Sequence, residues 1–338
     1  MRVGLTYDLK EDVEKALYSS SYLDDALEEY DSPQTIDAIA AIIESSGHSV
    51  IKLGGGKDFL NNILRHNVDF VFNIAEGIGN YKSREAQVPS VLEMLSIPYS
   101  GSDPQCLSIC LDKPLTKKLV ATAGIYTPRW KLVTDTTQLT NIDWTDFPFP
   151  VFVKPAYEGS SKGIRTNSVA NTATQLAEMA AFLLEHYQQP AVVEEFIAGE
   201  DITVGIVGNS PAEVLGIMRI APKNGSHNFV YSLEMKRNWE RLLEYECPAN
   251  LAPEITQHIK STSLKVFKLL DCRDFARLDF RLDREGKLYF LEINPLPGLN
   301  PKSSDLPIMA IKSGWTYQKL ILEILNSALK RYPQCVAR

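Results

Sequence analysis

The chain has 338 residues, 44% hydrophobic and 23% charged, an ordinary globular composition long enough for two or three domains. Its formal net charge of −7 offers no general attraction to phosphodiester backbones or anionic lipid, so nucleic acid is not an expected partner. No stretch approaches the ~20 apolar residues of a membrane span, and the N-terminal MRVGLTYDLKED has no basic-then-apolar leader. The expected address is the cytoplasm, with no membrane partner. Cys106, Cys110, Cys247, Cys272 and Cys335 show no C-x-x-C spacing, which argues against a disulfide framework and against a zinc site. Cys106 and Cys110 are expected as two buried core thiols, and the dispersed histidines are assigned no role.

In chain order, Val3 to Tyr7 reads as a strand, and Asp31-Ser32-Pro33 starts a helix whose Ile36, Ile39, Ala40 and Ile43 recur at helical spacing. Strand-like runs at Val50 to Leu53 and Asp69 to Ala75, with a stripe at Val88, Val91, Leu92 and Leu95, continue a βαβ rhythm. The turn-rich Tyr99 to Pro104 closes this parallel α/β unit near residue 104. A helix over Asp112 to Ala123 follows, stopped by Gly124, then strands at Val151 to Lys154, Val192 to Phe196, Ile202 to Val207 and Val214 to Ile220. A polar loop spans 222 to 228, a helix Glu254 to Leu270 and a hairpin Phe275 to Asn294, and two helical segments end the chain.

Alternation in the hairpin puts Arg277, Asp279 and Arg281 on one face and Ala276, Leu278, Phe280 and Leu282 on the other. The returning strand puts Glu292 and Asn294 on one face. With a two-residue turn at Arg284-Glu285, Arg277 faces Glu292, and Asp279, Glu292 and Asn294 share one side. Two carboxylates and an amide oxygen on a rigid surface suit a hard cation such as Mg²⁺. From the hairpin alone, an ion pair between Arg277 and Glu292 is an equally good reading of the same face.

Arg277-Leu-Asp-Phe, followed by Leu291-Glu-Ile-Asn-Pro-Leu-Pro-Gly-Leu299, resembles the ATP-grasp ligases and specifically the D-alanine–D-alanine ligase group. Further marks stand in the family's order: Leu111-Asp-Lys113, Phe149 to Ala156, Glu158-Gly-Ser-Ser161 and Val193 to Asp201. The resemblance implies a three-domain α/β architecture: an N-terminal parallel α/β domain over 1–104, then α+β domains over 105–197 and 198–338 that grip ATP. It implies an ATP-dependent ligase joining a carboxylate to an amine through an acyl phosphate, and a homodimer. Mg²⁺, with Mn²⁺ as a substitute, is expected on Asp279, Glu292 and Asn294. By the same resemblance Lys113, Lys154, Lys236, Ser160 and Ser161 hold the phosphates, Glu194, Glu195, Phe196 and Ile197 meet adenine, and Asp201 meets the ribose. Arg277 and Gly298 match the oxyanion stabilisers, and Ser303-Ser304 the group that holds an acceptor carboxylate.

The sequence departs from the family on the substrate side. No glutamate in the N-terminal stretch is matched to the family's ammonium-binding one, Glu76 stands where the family has an imidazole, and Arg237 stands where it has a phenol. Glu76 is therefore read as a receptor for an amine and Arg237 as suited to an anionic first substrate, so the small-molecule substrates are expected to differ from two D-alanines. A nucleotide-binding regulatory protein without turnover and a carboxylate kinase are the alternatives; the complete Asp279, Glu292, Asn294 and Arg277 set speaks against the first.

Overall fold

The computed structural model describes residues 1–17, 23–140, 142, 147–225 and 229–336. The first unit runs β1 (Arg2–Thr6), α1 (Lys10–Leu17), α2 (Pro33–Ser45), β2 (Ser49–Lys52), α3 (Gly56–Arg65), β3 (Phe70–Asn73) and α4 (Gln87–Met94), with the parallel sheet order β2-β1-β3. Ser32 caps α2 by accepting the Thr35 N–H, and Pro33 fills the first turn, as the sequence predicted.

Next come α5 (Pro104–Leu111) and α6 (Lys113–Thr122). Asp112 lies outside the helix predicted to include it, because its carboxylate caps α6 by accepting the Leu115 N–H at 3.1 Å. An antiparallel sheet follows, built from β4 (Trp130–Val133), β5 (Val151–Pro155), β6 (Val169–Ala170), α7 (Ala173–Phe182) on its face and β7 (Ala191–Glu195), in the order β4-β7-β5-β6. The larger antiparallel sheet takes β8 (Gly199–Gly208), β9 (Ala212–Pro222), then α8 (Leu233–Arg237) and α9 (Trp239–Leu242), β10 (Leu243–Glu246), α10 (Pro253–Leu269), β11 (Phe275–Asp283) and β12 (Leu288–Asn294). Its order is β10-β9-β8-β11-β12. The polar loop predicted at 222–228 falls partly outside the described residues. Finally α11 (Asp305–Lys312) and α12 (Tyr317–Leu329) turn back to the first unit, where Leu320, Ile324 and Leu325 share one apolar core with Ile36, Ile39 and Ile43.

The segment at residues 29–31 carries buried acid against this core. Burial and the neighbouring Asp8 push the Asp31 carboxyl up to about 7, from 3.8. A pKa raised by folding gives stability that is present below 3.8 and is lost as the pH rises through about 7. Asp31→Asn is therefore expected to raise the thermal midpoint at pH 8 and to change it little at pH 4. Melting curves at the two pH values check this, and equal shifts at both would refute it.

Candidate active site

The hairpin differs from its predicted register in two places. Its loop has three residues, Arg284 to Gly286, because Asp283 Oδ1 accepts the N–H groups of Glu285 and Lys287 and Gly286 takes a φ of 80°. The Leu282–Leu288 pairing that follows from this loop would carry Leu291 to a position opposite Asp279. A bulge then moves the register by one residue, so Asp279 faces Glu292 and Arg277 faces Asn294 rather than Glu292. The two irregularities compensate, and both carboxylates reach the same surface.

Arg277 Nη2 lies 2.8 Å from Asp279 Oδ2 and 4.0 Å from Glu292. The ion-paired reading of the face thus holds for Arg277 with Asp279, and only at the limit of reach for Glu292. Burial pushes the Glu292 carboxyl up, but the ammonium groups of Lys113 and Lys154 and the Arg277 guanidinium outweigh it and hold it at about 2. Burial drives the Asp279 carboxyl the other way, upward, with the Glu292 charge adding to it against Arg277. Asn294 Nδ2 donates to Asp279 Oδ2 at 3.4 Å and Thr203 Oγ1 to Asp279 Oδ1 at 2.9 Å. Two facing carboxylates that repel each other, beside an amide that presents oxygen on rotation, fit a hard divalent cation.

The second wall comes from the smaller antiparallel sheet. Lys154 on β5 and Lys117 on α6 both bond Glu194 of β7, at 3.1 and 2.9 Å. Burial lowers Lys117 to about 8 despite that carboxylate, while the two ammonium groups hold Glu194 below its usual range although burial opposes them. Lys113 Nζ donates to the Glu158 carbonyl and lies 3.4 Å from Glu292. Lys154, Ser161, Lys236, Arg277, Asp279 and Glu292 line one cleft, with Glu194 to Ile197 and Asp201 along it.

Within that stretch the Glu195 carboxylate is held by Arg129. Arg281 donates to the Ile197 carbonyl and lies 5.5 Å from the centre of the Phe196 ring. It also pairs with Asp201 at 2.6 Å, yet Asp201 Oδ2 is buried without a partner and its carboxyl is pushed up by burial. That oxygen is an acceptor open to a hydroxyl.

Ser160 and Ser161 take left-handed φ values of 49° and 61°, and burial lowers the Lys236 ammonium. Ser160 is not among the residues that line the cleft. Arg237 is not among the residues that line the cleft; its guanidinium is bonded to Glu28 at 2.6 Å and Asp24 at 2.8 Å, which ties the residue 24–28 segment to α8. Glu76 lies outside the cleft lining, and its carboxyl is pushed well up by burial, then by Glu85 and Glu29.

Ser303 is exposed. Ser304 precedes α11, but its Oγ accepts the Asn300 N–H at 3.1 Å and closes the loop that follows Gly298, where a Cβ would come 2.8 Å from that oxygen. Neither serine lines the cleft.

Sequence reasoning missed three residues here. Lys117 sits one helical turn from Lys113, a spacing that was legible. Arg281 was placed on the right face without a role. Asp305, adjacent to Ser304 and only 2% exposed, lies 3.5 Å from Arg277 and lines the cleft. Away from the cleft, Cys272 joins Cys106 and Cys110 as a third buried thiol, 3.5 Å from Cys106.

The family model described as D-ala D-ala ligase C-terminus matches residues 119–326. A D-alanine–D-alanine ligase of Aquifex aeolicus is 34% identical, over 87% of this chain and 94% of that one. An uncharacterized protein of Sinorhizobium fredii is 33% identical over 88% of both. The fold is similar to the D-alanine–D-alanine ligase of Bacillus anthracis complexed with ATP, with a TM-score of 0.75 at 24% identity and 99% coverage of both chains. It is also similar to the VanG D-Ala:D-Ser ligase of Enterococcus faecalis, with a TM-score of 0.73 at 20% identity, covering 97% of this chain and 99% of that one. With the paired carboxylates, the lysines and the cleft in place, the chain belongs to the D-alanine–D-alanine ligase family of ATP-dependent ligases.

Proposed function

We propose that the chain joins a carboxylic acid to an amine, using ATP and Mg²⁺, on substrates other than two D-alanines. The acid's oxygen attacks the γ-phosphorus and ADP leaves. The amine nitrogen then attacks the acyl carbon, phosphate leaves, and the nitrogen loses a proton. Lys154, Lys113 and Lys236 hold the phosphates with the Ser160-Ser161 loop, and Arg277 with the Gly298 N–H steadies the oxyanion. Mg²⁺, or Mn²⁺ in its place, on Asp279, Glu292 and Asn294 would neutralise the β- and γ-oxygens. Asp201 takes the ribose and Glu194 to Ile197 the adenine.

The observation that carries this reading is the Asp279–Glu292 rung, two carboxylates facing each other in the lining of one cleft, with Arg277 and Lys113 beside them. The altered substrates are supported by Glu76 and by the Arg237–Glu28 pair. The domains proposed are 1–104, 105–197 and 198–338. Leu60 and Leu64 on α3, 45% and 75% exposed, support a homodimer. The location proposed is the cytoplasm; among the described residues no helix is long and apolar enough to cross a membrane.

An ADP-release screen over amino acids and small carboxylates, followed by product mass, tests the reading. ADP with an amide product is expected for a pair other than two D-alanines. Equal or better turnover with D-alanine alone removes the altered-substrate part, and ADP from no pair removes the ligase itself.

A further inference from the structure

We propose that Asp305 makes the acceptor side of the cleft select an amine that carries no carboxylate, so the second substrate is a monoamine, diamine or amino alcohol rather than an α-amino acid. The inference rests on the ligase reading above and names the class of its acceptor.

The Arg277 guanidinium divides the cleft. Its Nη2 lies 2.8 Å from Asp279 Oδ2, one of the carboxylates proposed to hold the metal, and its Nη1 lies 3.5 Å from Asp305 Oδ2. An acyl carbon held at Arg277 with its phosphate toward Asp279 leaves the Asp305 side for the incoming nitrogen. Asp305 is the first residue of α11, 2% exposed, and is fixed there: its Oδ1 accepts the Tyr231 hydroxyl at 3.1 Å, and the Tyr231 oxygen lies 2.7 Å from that of Tyr245.

A carboxylate on the acceptor would meet this fixed carboxylate in a desolvated place. The nearest cation, Arg277, is already shared between Asp279 and Asp305. Lys236 of α8 also feels the charges of Asp305 and Arg277, and in the proposed function it holds the phosphates. Neither Ser303 nor Ser304 lines the cleft to offset a carboxylate there: Ser303 is exposed, and Ser304 Oγ sits in the loop after Gly298, accepting the Asn300 N–H. An amine arriving as an ammonium finds a carboxylate acceptor instead. Discrimination of this kind comes from a repulsive group as much as from attractive ones.

The same geometry says what removing the charge would do. In Asp305→Asn the amide keeps the shape and can still accept from Tyr231, while Arg277 Nη1 is released to receive a carboxylate.

The test begins with hydroxylamine as a small acceptor and a panel of acids that includes D-alanine, glycine, lactate and succinate, read as ADP and hydroxamate. With the best acid, matched acceptors that differ by one carboxylate are compared: D-alanine with ethylamine, L-serine with ethanolamine, L-lysine with cadaverine. The wild type is expected to favour the amine member by at least about tenfold in kcat/KM. Asp305→Asn is expected to shift that ratio toward the amino acid by about the same factor. Tyr231→Phe, which loosens Asp305 without removing its charge, should keep the wild-type preference. A wild type that uses the amino acid as well as its amine, or a ratio unmoved in Asp305→Asn, overturns the inference while ADP formation leaves the ligase reading standing. If no acid yields ADP or hydroxamate, both fall together.

Discussion

Replacing Glu292 by Gln is expected to lower ADP release by roughly 10²–10³-fold, the scale for losing a fixed electrostatic group at a site of developing charge. The reason is in the rung itself. Glu292 faces Asp279 directly, so the two carboxylates are presented together to one cation. Lys113, Lys154 and Arg277 hold the Glu292 carboxyl at about 2 against burial, so its charge also stabilises the fold above its usual 4.5. The amide keeps the side-chain volume, and Lys113, 3.4 Å from Glu292, retains the Glu158 carbonyl as a partner. The thermal midpoint at pH 7 is therefore expected to fall along with activity. A second readout separates the metal from turnover. Mg²⁺ binding to the folded state alone should raise the wild-type midpoint by mass action, and Glu292→Gln should lose that rise. Wild-type turnover in the variant, or a Mg²⁺ shift that survives the substitution, would remove Glu292 from the proposed metal site.

What the sequence made legible follows from how local each feature is. The α2 start at Asp31-Ser32-Pro33 was readable because capping acts over three residues. The hairpin was readable as a pair of strands and misread in register, because Leu-Tyr-Phe-Leu-Glu-Ile is apolar on both sides of Glu292 and its pattern cannot mark a bulge. The shared face survived because the three-residue loop and the bulge cancel. The partners of Arg237 were illegible for a different reason. They are 209 and 213 residues away, and nothing in a local pattern tells a free guanidinium from a latched one. Asp305 carries no signal in the local pattern; only the approach of α11 to β11 makes it part of the cleft.

Arg84→Met is expected to destabilise the fold by about 3–5 kcal/mol, the range for removing one partner from a buried ion pair. Arg84 is 1% exposed, with Nη2 2.7 Å from Glu29 and 3.4 Å from Glu158, and Nη1 donating to the Tyr157 carbonyl at 2.8 Å. Lys162 completes the cluster at 3.1 Å from Glu29 and 2.7 Å from Glu158, so two cations balance two anions. Methionine fills the volume and leaves two buried carboxylates sharing one ammonium. The backbone is as constrained as the charge, since a Cβ on Gly77, whose φ is 82°, would come 2.0 Å from the Arg84 carbonyl oxygen. Burial raises the Glu29 carboxyl, but Arg84 and Lys162 outweigh it and hold it below its usual 4.5. A pKa depressed by folding stabilises above 4.5 and is lost as the pH falls through the folded value, so the gap between wild type and Arg84→Met should narrow below that pH. Urea unfolding at pH 7 and pH 4 measures both effects. Adding Glu29→Gln to Arg84→Met should recover part of the loss, because it removes the orphaned charge; no recovery would place the cost in packing instead. The cluster also ties the loop at Glu158 to Lys162 against the first unit, so the loss of Arg84 should raise the KM for ATP together with the loss of stability.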